Sequence, residues 1–192
     1  MIDKIIALDK YLFLKLNRDC QNTVFDFILP LLRAPLFWMP LYFFLLLYVG
    51  LRFKHKLLKW LGFALVTVSA TDLISSKLIK PFFARPRPCA DPDFFNQVRL
   101  LTKYCGANGS FTSSHATNHF GLAMFFSITL GHLFPRYKFL FFVWAFSICI
   151  AQVYVGVHYP TDVLCGALLG CLLGYIMGIY FNKNYFLNPQ TT

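Results

Sequence analysis

Glutamate is absent from this chain: all eight acidic residues are aspartates, an omission that composition alone does not explain. Charge of either sign is scarce, at 14% of residues against 57% hydrophobic. So little charge excludes an ordinary soluble domain. The opening residues, MIDKIIALDK, carry charge throughout and lack a cleavable signal pattern, so no signal peptide is expected. The net charge of +10 and pI of about 9.4 do show a basic excess. Its residues, however, are scattered between apolar runs and form no patch. That distribution argues for membrane topology and anionic lipids, and against nucleic acid.

What the chain does hold is apolar and aromatic. Mean hydropathy is +0.56, aromatic content is 19%, and 23 of the 192 residues are Phe. The expected fold class is therefore all-α: a polytopic membrane helix bundle forming one domain over 1–192. Met1 to Asp19 interleaves apolar residues with Lys4, Lys10, Lys15 and Arg18, which suits an amphipathic helix lying in the membrane interface. Phe25 to Leu32 is apolar but short, and Pro30, Arg33 and Pro35 interrupt it, so residues 1–33 read as an interfacial segment.

Five spans of about 20 residues follow, at Phe37–Leu51, Leu57–Lys80, His115–Phe134, Phe139–Val157 and Pro160–Phe181. The basic loops at 52–56 and 135–138, and Lys183, predict a cytoplasmic side. The far ends of the spans then bring three polar clusters to the opposite face. These are Lys80 with Arg87, Ser113 to His115, and His158 with Asp162. Residues from three separate segments meeting on one membrane face make a candidate site.

Each element also has a plain structural reading. Pro160 is suited to the first turn of a helix, so His158 sits just outside the last span and Asp162 in its first turn. An Asp–His pair orients an imidazole as base or nucleophile, although histidines near helix ends are common. Lys80 and Arg87 suit a phosphoryl group, or serve as interfacial anchors. Ser113 and Ser114 open a helix whose N–H groups form an anion site, or Ser113 is simply an N-cap. Asp72 shares a face with Ser76 and Lys80 and either tunes the site or anchors a helix contact. His115 and His119 are four apart, as a metal pair would be, but no acidic or cysteine ligand accompanies them, so neither metal nor other cofactor is expected. Asn118 and His119 read as supporting polar groups. Gly166, Gly170, Gly174 and Gly178 recur every four residues and predict close helix packing within the bundle.

The three clusters resemble the motifs of the type 2 phosphatidic acid phosphatases, a family sharing its catalytic core with vanadium haloperoxidases. The first motif, K-x6-R-P, is matched in full by Lys80 through Arg87-Pro88. The second, P-S-G-H, is matched at two of four positions by Thr112-Ser113-Ser114-His115, and in the third, S-R-x5-H-x3-D, His158 and Asp162 match while Ala151 and Gln152 replace Ser and Arg. The resemblance covers about Leu57 to Phe181, taken as a catalytic core at 57–181. It implies that His158, oriented by Asp162, attacks phosphorus to give a phosphohistidine. It also implies that His115 protonates the leaving lipid oxygen, and that Lys80, Arg87, Ser113, Ser114 and position 152 hold the phosphate. Gln152 is the serious departure, because a neutral amide replaces a cation. Arg85, Arg99 or Lys77 could supply the missing charge, and Arg85, two residues from Arg87, is the expected substitute.

The expected function is hydrolysis of a lipid phosphate or pyrophosphate: undecaprenyl pyrophosphate, phosphatidylglycerol phosphate, phosphatidic acid or a lipid A phosphate. A lipid phosphotransferase and a catalytically silent lipid-binding protein are the alternatives. A bacterial inner membrane is expected, with the site facing the periplasm. In that oxidising compartment Cys89 and Cys105 would be able to pair across the polar segment. The oligomeric state is left open.

Overall fold

The computed structural model describes residues 2–188, and it is helical. Helix α1 spans Ile2–Leu14 and continues through a π-helical turn, Lys15–Asp19. Helix α2, Thr23–Arg33, is opened by Asn22, whose side chain accepts from the Phe25 N–H at 2.9 Å. Helix α3 covers Met39–Arg52 and α4 Leu57–Leu73. A π-helical stretch, Ile74–Ile79, carries α4 into α5, Lys80–Phe83. Ala84 then turns left-handed (φ 45°), and the prolines of RPRP prevent the helix from resuming. Helices α6 (Ser114–Leu130), α7 (Leu140–Tyr154) and α8 (Pro160–Tyr185) complete the bundle.

Among the described residues, three helical stretches are long and apolar enough to cross a membrane: Pro35–Arg52, Lys54–Ala90 and Pro160–Tyr185. Helix α7 is apolar but shorter. Leu164, Leu168, Leu172 and Ile176 of α8 are exposed along one face, as lipid contact demands. The opposite face of α8 is the glycine stripe, and it meets α6 backbone to backbone. A Cβ added at Gly170 would lie 2.3 Å from the Thr117 carbonyl oxygen, and one at Gly174 would lie 2.1 Å from that of Gly121. The stripe is thus an internal seam, and only hydrogen atoms fit within it. Around it, Trp60, Phe125, Phe126, Trp144 and Phe181 form the core, with Trp60 Nε1 donating to Thr129 Oγ1 at 3.0 Å.

Residues 2–33, expected to lie at the membrane interface, pack against the bundle. Pro30, expected to interrupt, sits inside α2. Packing of Leu29 against Ala151 and Tyr154, together with the Asp26–Arg99 ion pair at 2.7 Å, outweighs the lost backbone hydrogen bond. Helix α1 exposes apolar Ile5, Leu8 and Leu12 and turns Asp9, only 2% exposed, inward. At the other end of the bundle, Lys56 Nζ donates to the Phe186 carbonyl at 2.6 Å. His132 lies 2.6 Å from the Leu187 carbonyl. The basic loop after α3 therefore sits beside the end of α8, which spans roughly 39 Å along its axis from the His158 end.

Candidate active site

The seam fixes two of the three clusters against each other. Ser113 caps α6, and its own N–H donates to the Asp162 carbonyl at 3.0 Å. Asp162 is the third residue of α8, where its Oδ2 accepts from the Tyr159 N–H at 2.8 Å. Its Oδ1 accepts from Arg85 Nη1 at 2.7 Å. Ser110 Oγ donates to Oδ2 as well. The carboxylate is fully buried and each of its oxygens is hydrogen-bonded, so it stays an anion in a fixed pose.

His158 lies in the turn between α7 and α8, just beyond Gly156, whose positive φ of 92° suits a residue without a side chain. The imidazole is 2% exposed. Arg87 Nη1 stands 3.3 Å from Nε2. A guanidinium can only donate, so Nε2 is the acceptor and the ring proton resides on Nδ1. That proton faces Ser110 Oγ at 3.4 Å and Asp162 Oδ2 at 3.6 Å, too far for a direct hydrogen bond to the carboxylate. The link from imidazole to carboxylate therefore runs through the Ser110 hydroxyl, which accepts from His158 and donates to Asp162. Burial lowers the His158 pKa to about 4, partly opposed by Asp162 and reinforced by Arg87 and Lys80. The ring is neutral near pH 7, with its Nε2 lone pair beside a cation.

Lys80 is buried and donates to the carbonyls of Gly109 at 2.7 Å and Ser110 at 3.3 Å. It thereby positions the strand of loop that carries Ser110. Arg87 also donates to the carbonyls of Asn108 (2.8 Å) and Val157 (3.2 Å). Gly106 packs over its guanidinium, where a Cβ would stand 3.0 Å from Cζ. Cys89 and Cys105 are disulfide-bonded with Cα atoms 5.9 Å apart, tying the loop that supplies Gly106 to the segment that supplies Arg87. Arg87 and His115 line a cleft of about 380 Å³.

Other expected site residues serve the helix contacts. Ser114 Oγ lies 3.0 Å from Ser75 Oγ and 2.9 Å from Ser76 Oγ, joining α6 to the π-helical stretch. Asn118 donates to Asp72 at 3.3 Å and accepts from Thr71 at 2.8 Å, so Asp72 and Asn118 anchor α4 to α6. His119 Nδ1 lies 2.7 Å from the His115 carbonyl, and its ring packs edge-on against Trp144.

Arg85 corrects the sequence-based assignment most sharply. Its Nη2 pairs with Asp9 at 2.6 Å and its Nη1 with Asp162 at 2.7 Å, so it braces the carboxylate and does not stand in for the missing arginine. Arg99 is bound to Asp26, and Lys77 is exposed. Gln152 is fully buried, and its Oε1 accepts from Arg33 Nε at 3.1 Å. Ser110, Asp9 and Arg33 were not anticipated. Ser110 opens the SFTSSH run, whereas Asp9 and Arg33 reach the site only through tertiary packing.

A lipid A 4'-phosphatase of Porphyromonas gingivalis is 31% identical over 180 residues, 92% of this chain and 74% of that one. A lipid A 4'-phosphatase of Bacteroides thetaiotaomicron is 27% identical over 187 residues, 95% of this chain and 81% of that one. The crystal structure of a transmembrane PAP2-type phosphatidylglycerolphosphate phosphatase from Bacillus subtilis shares the fold. Its TM-score is 0.71 over 96% of this chain and 90% of that one, at 23% identity. The PAP2 superfamily profile matches residues 57–186, the stretch that holds Lys80, Arg87, His115, His158 and Asp162. By profile, relatives and helical architecture, this integral membrane protein belongs to the PAP2 superfamily.

Proposed function

We propose that this PAP2-type phosphatase hydrolyses a lipid phosphate through a phosphohistidine, with a lipid A phosphate as the first substrate to test. The observation that carries the mechanism is the ordered line from Asp162 through Ser110 and His158 to Arg87. It leaves one imidazole nitrogen unprotonated, buried, and 3.3 Å from a guanidinium. Nε2 of His158 attacks phosphorus as the bond to the lipid oxygen breaks, and His115, which takes up a proton when the anionic lipid phosphate binds beside it, delivers that proton to the oxygen. The imidazolium formed at His158 is stabilised by the Asp162 carboxylate through Ser110. His115, now neutral, takes a proton from water as the water oxygen attacks phosphorus. The P–N bond breaks, and inorganic phosphate leaves. Lys80 and Arg87 hold the charge of the transferring group.

The substrate class follows from the two similar lipid A 4'-phosphatases and from a site at one end of a membrane bundle. The basic loop at 52–56 lies at the opposite end, which supports an inner-membrane enzyme with its site on the periplasmic side. The decisive experiment incubates purified protein with lipid A, phosphatidylglycerol phosphate, phosphatidic acid and undecaprenyl pyrophosphate, following free phosphate and any phosphorylated product. Phosphate release from lipid A above the rest is the expected result. Transfer of phosphate to a second lipid, or no turnover of any, refutes the hydrolase reading.

A further inference from the structure

We infer that Arg33, on helix α2 and outside the family-matching stretch, is a phosphate-binding residue that replaces the cation missing at position 152, with Gln152 as its positioning residue. This inference rests on the phosphatase reading above and adds a residue to it.

Four observations converge on Arg33. Its Nε donates to Gln152 Oε1 at 3.1 Å, so the guanidinium is held at the residue that stands where the motif has arginine. Arg33, Arg87 and His115 line the same cleft of about 380 Å³, along with Lys103, Tyr104 and Gly106. Neither terminal nitrogen of Arg33 is hydrogen-bonded among the described residues, and Arg33 forms no ion pair there. Finally, Arg85 is neutralised by Asp9 and Asp162 and Arg99 by Asp26, which leaves Arg87 and Arg33 as the arginines at the site without a carboxylate partner among the described residues.

The physical argument is one of unbalanced charge. Two guanidinium groups beside a histidine, with no carboxylate between them, repel each other and lose hydration. An anion of charge near −2 that accepts hydrogen bonds from both relieves the repulsion, and a phosphoryl group has the oxygens to do so. Gln152 suits the positioning role because an amide oxygen fixes the Arg33 Nε without neutralising it. A carboxylate at 152 would turn the pair into a salt bridge and remove the attraction for phosphate. Arginine at 152 would push Arg33 away.

The test is a charge exchange, read as kcat and KM for phosphate release from the best lipid substrate and as the inhibition constant for inorganic vanadate. Arg33→Ala is expected to lower kcat/KM roughly ten- to a hundredfold, the worth of one charge-assisted contact in the transition state. It should weaken vanadate by a similar factor while leaving the unfolding temperature near that of wild type. Gln152→Arg alone gives no gain. The exchanged pair, Arg33→Gln with Gln152→Arg, regains at least tenfold over Arg33→Ala. Arg33→Lys, which retains the charge without the fork, retains most kcat with a raised KM, and it carries the test should Arg33→Ala fail to accumulate. An Arg33→Ala enzyme within twofold of wild type overturns the inference, as does an exchanged pair no better than Arg33→Ala. A wild-type protein that releases no phosphate from any lipid overturns the phosphatase reading itself.

Discussion

Replacing Gly174 by alanine tests whether the α6–α8 seam sets the geometry of the site. The new Cβ would lie 2.1 Å from the Gly121 carbonyl oxygen and 2.9 Å from its carbon. Ordinary contact needs about 3.5 Å, so the helices must part locally by roughly 1 Å. The obstacle is backbone and cannot rotate aside, which puts the overpacking penalty near the upper end of about 1–3 kcal/mol. Alanine returns about 1 kcal/mol through helix propensity, leaving a net loss of about 2 kcal/mol. For a chain of this size that is a drop of roughly 4–8 °C in unfolding temperature. The same displacement is felt where the Ser113 N–H meets the Asp162 carbonyl at 3.0 Å, and a 1 Å error in placement can cost about a hundredfold in kcat. Gly62 is the internal control, because a Cβ there meets nothing within 4 Å. Thermal unfolding and phosphate release should be measured on both variants in one detergent. Gly62→Ala should match or exceed wild-type stability at full activity, and a Gly174→Ala enzyme indistinguishable from it would refute the seam's role.

The remaining expectations concern the chemistry. His158→Ala should abolish turnover and Asp162→Asn should reduce kcat roughly 10²- to 10⁴-fold, measured by steady-state phosphate release; an active His158→Ala enzyme ends the phosphohistidine mechanism. Ser110→Ala breaks the only hydrogen-bonded link from the imidazole to the carboxylate among the described residues, and a kcat loss of about tenfold or more is expected. Because burial holds the His158 pKa near 4, kcat/KM should not fall with this group's protonation until pH approaches 4, well below the usual ~6.5. Stability behaves correspondingly: below about 6.5 the unfolded chain binds a proton that the folded site refuses. Stability is therefore fully present above that pH and declines as pH falls towards 4. Chelation with EDTA should leave activity intact, since lysine, arginine and imidazole hold the charge; loss restored by a divalent ion would contradict this.

Local pattern carried much of this structure, and distance in sequence explains what it did not carry. Pro160 opens α8 as its position in the sequence implies, and the glycine repeat packs inside the bundle because only a second backbone can fill so shallow a groove. Lys80, Arg87, His158 and Asp162 are recognisable because each motif is compact. Arg33 escaped notice because its partner Gln152 lies 119 residues away, and a lone arginine beside two prolines has no periodic signature. Arg85 was misassigned by proximity to Arg87. The ion pair with Asp9, 76 residues upstream, decides where Arg85 goes. Ser110 was hidden among other hydroxyls in SFTSSH, where only the fold separates the relay from the caps.

The contacts of Asp9 bear on how the molecule is built in the cell. Asp9 accepts from the Thr161 N–H at 2.9 Å and from its hydroxyl at 2.6 Å, groups 152 residues further along the chain. Asp26, likewise, accepts from Tyr154 at 2.6 Å, 128 residues on. During synthesis α1 and α2 emerge long before these partners exist, and closing loops of that length is the slow part of assembly. Until α8 has entered the membrane, Asp9 lacks the Thr161 contact, Arg85 lacks Asp162, and His158 has no carboxylate to orient it. The site is therefore complete only once the first helix has met the last.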